Sequence, residues 1–148
     1  MSPKAILGQI AELLDREPVV SFAYLFGSRA GGKPQPRPDS DVDVAVWLDT
    51  PPSRLTDEAI RLSGEMSREL GLTVDVVDLN RAPILLRDQV FRKGRLVFER
   101  DRPQRVRFES RTLVEGIDFE RVRKRCAAGL TRRVRRELRQ RRKNDHGR

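Results

Sequence analysis

Apolar residues recur at helical spacing near the start of the chain, at Ile6, Leu7, Ile10, Leu13 and Leu14. That period predicts an amphipathic helix over 3–17. Ser2 is placed to cap it, Pro3 suits its first turn, and Pro18 ends it. Residues 19–26 are rich in β-branched and aromatic side chains and read as a buried strand. Gly27-Ser28 then permits a tight turn. Residues 29–40 hold Pro34, Pro36 and Pro38 at alternate positions, which forbids a helix and predicts an exposed loop. Alternation resumes over 41–48. Asp41, Asp43, Ala45 and Trp47 share one face of this second strand, Val42, Val44, Val46 and Leu48 the other. The valine face is expected to pack on a helix, and Trp47 to be a core or sheet-edge residue.

Pro51 and Pro52 break the chain again. A helix opening at Ser53 or Thr56 and running to about Leu70 carries Ala59, Ile60, Leu62, Met66 and Leu70 largely on one stripe. Gly71 closes it. Residues 72–79 form a third strand, and 82–93 a short helix buried through Ile84, Leu85, Val90 and Phe91, stopped by Gly94. Residues 95–99 form a fourth strand. The expected body is therefore α/β (α+β), a mixed sheet of about four strands flanked by helices. From Asp101 the pattern changes. A helix over 104–113 is expected to break at Gly116 and Asp118, a second to start at Phe119, and Gly129 to interrupt that one. Beyond about residue 130 only Val134 and Leu138 form an apolar pair, too narrow a stripe to bury a helix alone. The expected division is a body over 1–100 and a basic helical extension over 101–148 that meets a partner.

Charge sharpens that division. Residues 1–100 hold 14 Lys and Arg against 15 Asp and Glu, whereas 101–148 hold 17 against 7. The tail thus carries the whole basic excess of a chain with net charge +9. It suits an acidic partner, either nucleic acid or an acidic protein face. A single cysteine, Cys126, excludes an internal disulfide and a cysteine-based zinc site and suits a reducing cytoplasm. No run of 18 uncharged apolar residues occurs, and the first residues lack a signal peptide's apolar core, so no membrane segment is expected. His146 has no companion ligand.

The chemistry concentrates where the first two strands meet the loop between them. Asp41 and Asp43, two apart on a strand, project from one face a few Å from each other and repel unless a cation intervenes. Mg²⁺ takes one or two carboxylates together with substrate phosphates. Backbone N–H groups of the Gly27-Ser28 turn would hold those phosphates nearby. Arg29, directly after the turn, is a further phosphate candidate; Lys33 and Arg37 on the loop reach phosphate or are simply solvated. Asp75 interrupts an apolar strand, where an ionised carboxylate is costly unless paired or metal-bound. Asp75 and Asp78 have opposite parity, so only one faces the pair. Asp75 is the choice, with an arginine salt bridge as its alternative.

Three separated segments carry a family resemblance: Leu25-Phe26-Gly27-Ser28-Arg29-Ala30, Ser40-Asp41-Val42-Asp43-Val44-Ala45-Val46 and Val74-Asp75-Val76-Val77-Asp78-Leu79. Together, over roughly residues 5–99, they resemble the minimal nucleotidyltransferases of the DNA polymerase β-like superfamily, and within these the MntA-type antitoxins. Residues 111–119 are similar to the helical extension of those antitoxins. The resemblance implies that Asp41, Asp43 and Asp75 are the catalytic, metal-binding triad, with Asp75 as ligand or base, and that Gly27 and Ser28 grip the nucleotide phosphates. It implies Mg²⁺ or Mn²⁺ as cofactor and ATP as substrate. AMP would pass to a tyrosine of a HEPN-domain ribonuclease toxin, held in a hetero-oligomer. The basic tail would wrap that toxin or hold RNA. A module that neutralises its toxin by binding alone, and an RNA-binding protein led by the tail, are the competing readings. One departure stands out. Twelve residues separate Ser28 from Asp41 where such antitoxins usually have ten, a difference that a proline-glycine loop absorbs.

Overall fold

The computed structural model describes residues 2–30 and 40–145. The loop cations Lys33 and Arg37, and His146, lie outside the described residues. The chain divides into two units, Met1–Leu113 and Val114–Arg148.

In the first unit, helix α1 (Pro3–Asp15) starts as expected: the Ser2 hydroxyl accepts a hydrogen bond from the Ala5 N–H at 3.3 Å, with Pro3 in the first turn. Its buried residues, Ile6, Ile10 and Leu14, lie four apart and so form one stripe. Strand β1 (Val20–Phe26) pairs antiparallel with β2 (Val42–Leu48) on one side and with β4 (Arg95–Glu99) on the other. Helix α2 (Leu55–Leu70) connects β2 to β3 (Val74–Asp78), and these two strands are parallel. The sheet order is β3-β2-β1-β4. Gly71 ends α2 at φ 65°, the left-handed cap that glycine adopts without strain. Helix α3 (Ile84–Lys93) precedes β4.

The two faces of the sheet bury separate cores. Val42, Val44, Val46 and Leu48 pack with the apolar stripes of α1 and α2. Ala45, Phe22, Tyr24, Leu79 and Val90 form the second core with Phe108, and Trp47 packs against it. The Phe22 and Trp47 rings stack at 5.8 Å. Phe108 comes from the first turns of α4 (Arg102–Asp145), a helix capped by Asp101, whose carboxylate accepts from the Gln104 N–H at 3.0 Å. A hydrogen-bonded chain reinforces this docking. The Tyr24 hydroxyl donates to Glu109, and Arg105 donates to both Glu109 and Glu99.

Two expectations need correction. Ile60 and Leu85 are 66% and 61% exposed. The buried stripe of α2 runs Leu55, Ala59, Leu62, Met66 and Leu70, and Ile60 sits one residue, about 100° of helix, off it. In addition, α4 is unbroken at Gly116, Asp118 and Gly129. An isolated helical glycine costs only about 1 kcal/mol relative to alanine. Where glycine does end a helix here its backbone leaves the helical conformation, left-handed at Gly71 after α2 and extended at Gly94 after α3.

Candidate functional site

The site is assembled by β-sheet register. In the parallel β2–β3 pair, Asp43 is the direct partner of Asp75, and in the antiparallel β1–β2 pair it is the partner of Phe26. Direct partners project from the same sheet face, with strands about 4.8 Å apart. Asp41 lies just before β2, which begins at Val42 rather than at Asp41. Asp41 and Asp75 are exposed, and Asp43 is half-buried. Burial pushes the Asp43 carboxyl above its usual range, and the charges of Asp75 and Asp41 push it the same way. The three acids therefore share one electrostatic neighbourhood. Among the described residues, no three His, Cys, Asp or Glu side chains are already drawn together as ligands of one ion.

The other acid of β3 has a different task. The Asp78 carboxylate accepts from the backbone N–H and the guanidinium of Arg81, at 3.0 and 3.2 Å, and Arg81 in turn reaches Thr56 on α2. Asp78 has the opposite parity to Asp75 and ties the strand end to the helix.

Where β1 ends, Gly27, Ser28 and Arg29 form a single 3₁₀ turn, with Gly27 at φ 74°. A β-carbon on Gly27 would overlap Oδ2 of Asp43. The turn is thus pressed directly against the central carboxylate. No side chain caps it, and the leading N–H groups of a helical turn have no partner within the turn. Ser28 is exposed beside it. Arg29 folds back across the loop, its Nε and Nη2 donating to the Ser40 carbonyl at 3.0 and 2.8 Å. That clamp closes the ends of the loop and holds the residue just ahead of Asp41.

Two serines not singled out by sequence reasoning support the site. β3 is an edge strand, and its Val74 and Val76 N–H groups donate to the hydroxyls of Ser67 and Ser63 on α2, each at 2.9 Å. These bonds hold the strand that carries Asp75 against its helix. The signal lay in two serines four apart, flanking the apolar stripe of α2 on the side turned to β3.

A mixed sheet with helices packed on it, the carboxylate pair leading its second strand, defines a nucleotidyltransferase-like fold. Residues 8–103 match the family described as Polymerase beta, Nucleotidyltransferase, and the chain belongs to that family. A solved chain from a toxin–antitoxin crystal structure with AMP-PNP is 26% identical at a TM-score of 0.68, over 84% of this chain and 98% of that one. A chain of the toxin–antitoxin MntA-HepT is 22% identical at a TM-score of 0.64, over 86% and 98%. One from a tri-AMPylated Shewanella oneidensis HEPN toxin in complex with MNT antitoxin is 21% identical at a TM-score of 0.65, over 88% and 99%. At such identities the last two establish likeness of fold. Among curated protein sequences none matches this chain. Among the described residues no helix is long and apolar enough to cross a membrane.

Proposed function

We propose that this protein is the antitoxin of a toxin–antitoxin pair and transfers AMP from ATP to a tyrosine hydroxyl of a HEPN-domain toxin. The register that sets Asp43 beside Asp75, with the Gly27 turn against Asp43, is the observation that carries the reading. The similar toxin–antitoxin chains, one solved with AMP-PNP and another with an AMPylated HEPN toxin, support the choice of nucleotide and acceptor.

The carboxylates of Asp41, Asp43 and Asp75 suit a hard divalent cation such as Mg²⁺ or Mn²⁺, because their charges already bear on one another. When bound, the cation offsets the charge of the acids and of the triphosphate. The N–H groups of Gly27 and Ser28, with the Ser28 hydroxyl, hold phosphate oxygens. Arg29 keeps the loop ends together through Ser40 and adds positive charge on that side. Asp75, the more exposed of the cross-strand pair, takes the proton of the acceptor hydroxyl. The tyrosine oxygen bonds to the α-phosphorus, the bond from that phosphorus to its bridging oxygen breaks, and pyrophosphate leaves with the electron pair. The added AMP brings negative charge and bulk to an enzyme that must bind RNA phosphate, which blocks it electrostatically and sterically.

The test is to co-express the chain with its partner toxin and measure the intact mass of the toxin. The expected shift is one or more AMP units, requiring divalent metal and absent with Asp43→Ala. Full neutralisation by Asp43→Ala, with no mass shift in the wild-type pair, would replace transfer by occlusion.

A further inference from the structure

Over its described residues, 114–145, the second unit is one stretch of helix with every described side chain from Arg121 to Lys143 exposed. Residues 121–143 hold 12 Lys and Arg against a single acid, Glu137. Their distribution is uneven. At about 100° per residue, Arg121, Arg125, Arg132, Arg136, Arg139 and Lys143 fall within about 60° of one another, along roughly 33 Å of helix. No acid, aromatic or amide side chain shares that arc. Arg121 and Arg125, Arg132 and Arg136, and Arg139 and Lys143 are like charges four apart, a spacing that weakens a helix by itself. A polyanion laid along the face would reverse that effect.

We propose that this cationic face docks on the phosphate backbone of double-stranded RNA. Five of its six cations are arginines, whose planar fork matches phosphate oxygens. Protein interfaces are built around apolar anchors at their core, which this arc lacks. Single strands are held by stacking on aromatic side chains, also missing from it. Duplex RNA is instead recognised through its shape and phosphates, contacts that a ladder of arginines supplies.

The experiment uses the full chain and a labelled RNA duplex of about 16 base pairs, the span covered by known duplex-RNA modules. Binding is followed by fluorescence anisotropy between about 50 and 200 mM salt. Two variants remove equal charge: Arg125, Arg132 and Arg136 to Gln on the face, and Arg123, Arg133 and Arg141 to Gln off it. Glutamine keeps helix propensity, and circular dichroism verifies the helix. The on-face variant is expected to lose affinity roughly tenfold or more and to flatten the salt slope by about 2–3, whereas the off-face variant changes less than about threefold. Equal losses in the two variants would overturn the proposal. So would equal affinity for a DNA duplex of the same sequence, or equal competition by polyglutamate, which would mark the face as a site for acidic protein. None of these readouts depends on nucleotide transfer, so the inference and the proposed enzyme activity fail separately.

Discussion

Gly27 and the carboxylate of Asp43 meet where only a glycine fits: a β-carbon on Gly27 would overlap Oδ2 of Asp43. The same residue sits at φ 74°, so backbone conformation and space demand glycine independently. The turn proposed to hold phosphate and the acid proposed to hold metal are therefore one packed unit.

Gly27→Ala is accordingly expected to cost about 1–3 kcal/mol of stability from the strained backbone alone, and to abolish AMP transfer by displacing Asp43. Gly8, on α1 with nothing within 4 Å of a built β-carbon, is the control. Gly8→Ala should add about 0.5–1 kcal/mol, as alanine does in a helix interior. Thermal melts of the two variants should move in opposite directions. A Gly27→Ala protein as stable and active as wild type would separate the turn from the site.

Asp43 carries the strain of the acid cluster, because burial and the charges of Asp75 and Asp41 all disfavour its ionised form. Asp43→Asn removes one charge without changing shape, so the metal-free variant should melt higher than wild type. Adding Mg²⁺ should reverse the order. A ligand at about 100 times its Kd stabilises a fold by about 2.7 kcal/mol, and the variant, short of a carboxylate, should gain little of that. Equal responses of the two proteins to Mg²⁺ would remove Asp43 from the metal site.

The register of the candidate acids was legible in the sequence because strand parity is a strong constraint. Once Asp41 and Asp43 are placed on a strand and Asp75 interrupts an apolar run, only one of Asp75 and Asp78 can face the pair, and β2–β3 register aligns Asp75 with Asp43. Strand limits were off by a residue or two, as at Asp41, since a polar strand end carries no hydrophobic marker. Helix phase was harder. Ile60 and Leu85 look like core by type, yet which turn faces the sheet is decided by tertiary packing. The continuous course of α4 is not marked in the sequence, because Gly116 and Gly129 weaken a helix without ending it. Side-chain bonds across elements, such as those between Asn80 and the Leu48 backbone, leave no periodic trace at all.

Away from the site, Arg61 gathers three acids, Glu17, Glu58 and Glu65, at 2.8, 2.6 and 3.1 Å. The hydrogen bond from Arg61 holds the Glu17 carboxyl below its ordinary value of 4.5. A carboxylate whose pKa is lowered by folding contributes stability above its unfolded pKa, and loses it as pH falls through the folded one. Arg61 is 38% exposed on its side chain, so solvent screens the pair. Glu17→Gln should therefore cost only about 0.5–1 kcal/mol near neutrality. The gap between the two proteins should close as pH drops below 4.5. Melting curves across that range provide the measurement, and a gap that widened in acid would give the pair the opposite sign.

Ser63 and Ser67 offer the most direct way to move Asp75 without touching it. Their hydroxyls accept from the Val76 and Val74 N–H groups, on either side of Asp75 along the exposed edge of the sheet. Replacing both by alanine leaves two strand donors without these partners, at about 1 kcal/mol each, and lets β3 shift against α2. Asp43 lies on β2, Asp41 just before it and the Gly27 turn at the end of β1, and these keep their own bonds. If Asp75 takes the acceptor proton, the double variant should lower kcat for AMP transfer several-fold while KM for ATP stays near wild type. Ser53→Ala, in the exposed turn before α2, should change neither. A rise in KM with kcat untouched would instead assign β3 to nucleotide binding, and would take the proton-accepting role away from Asp75.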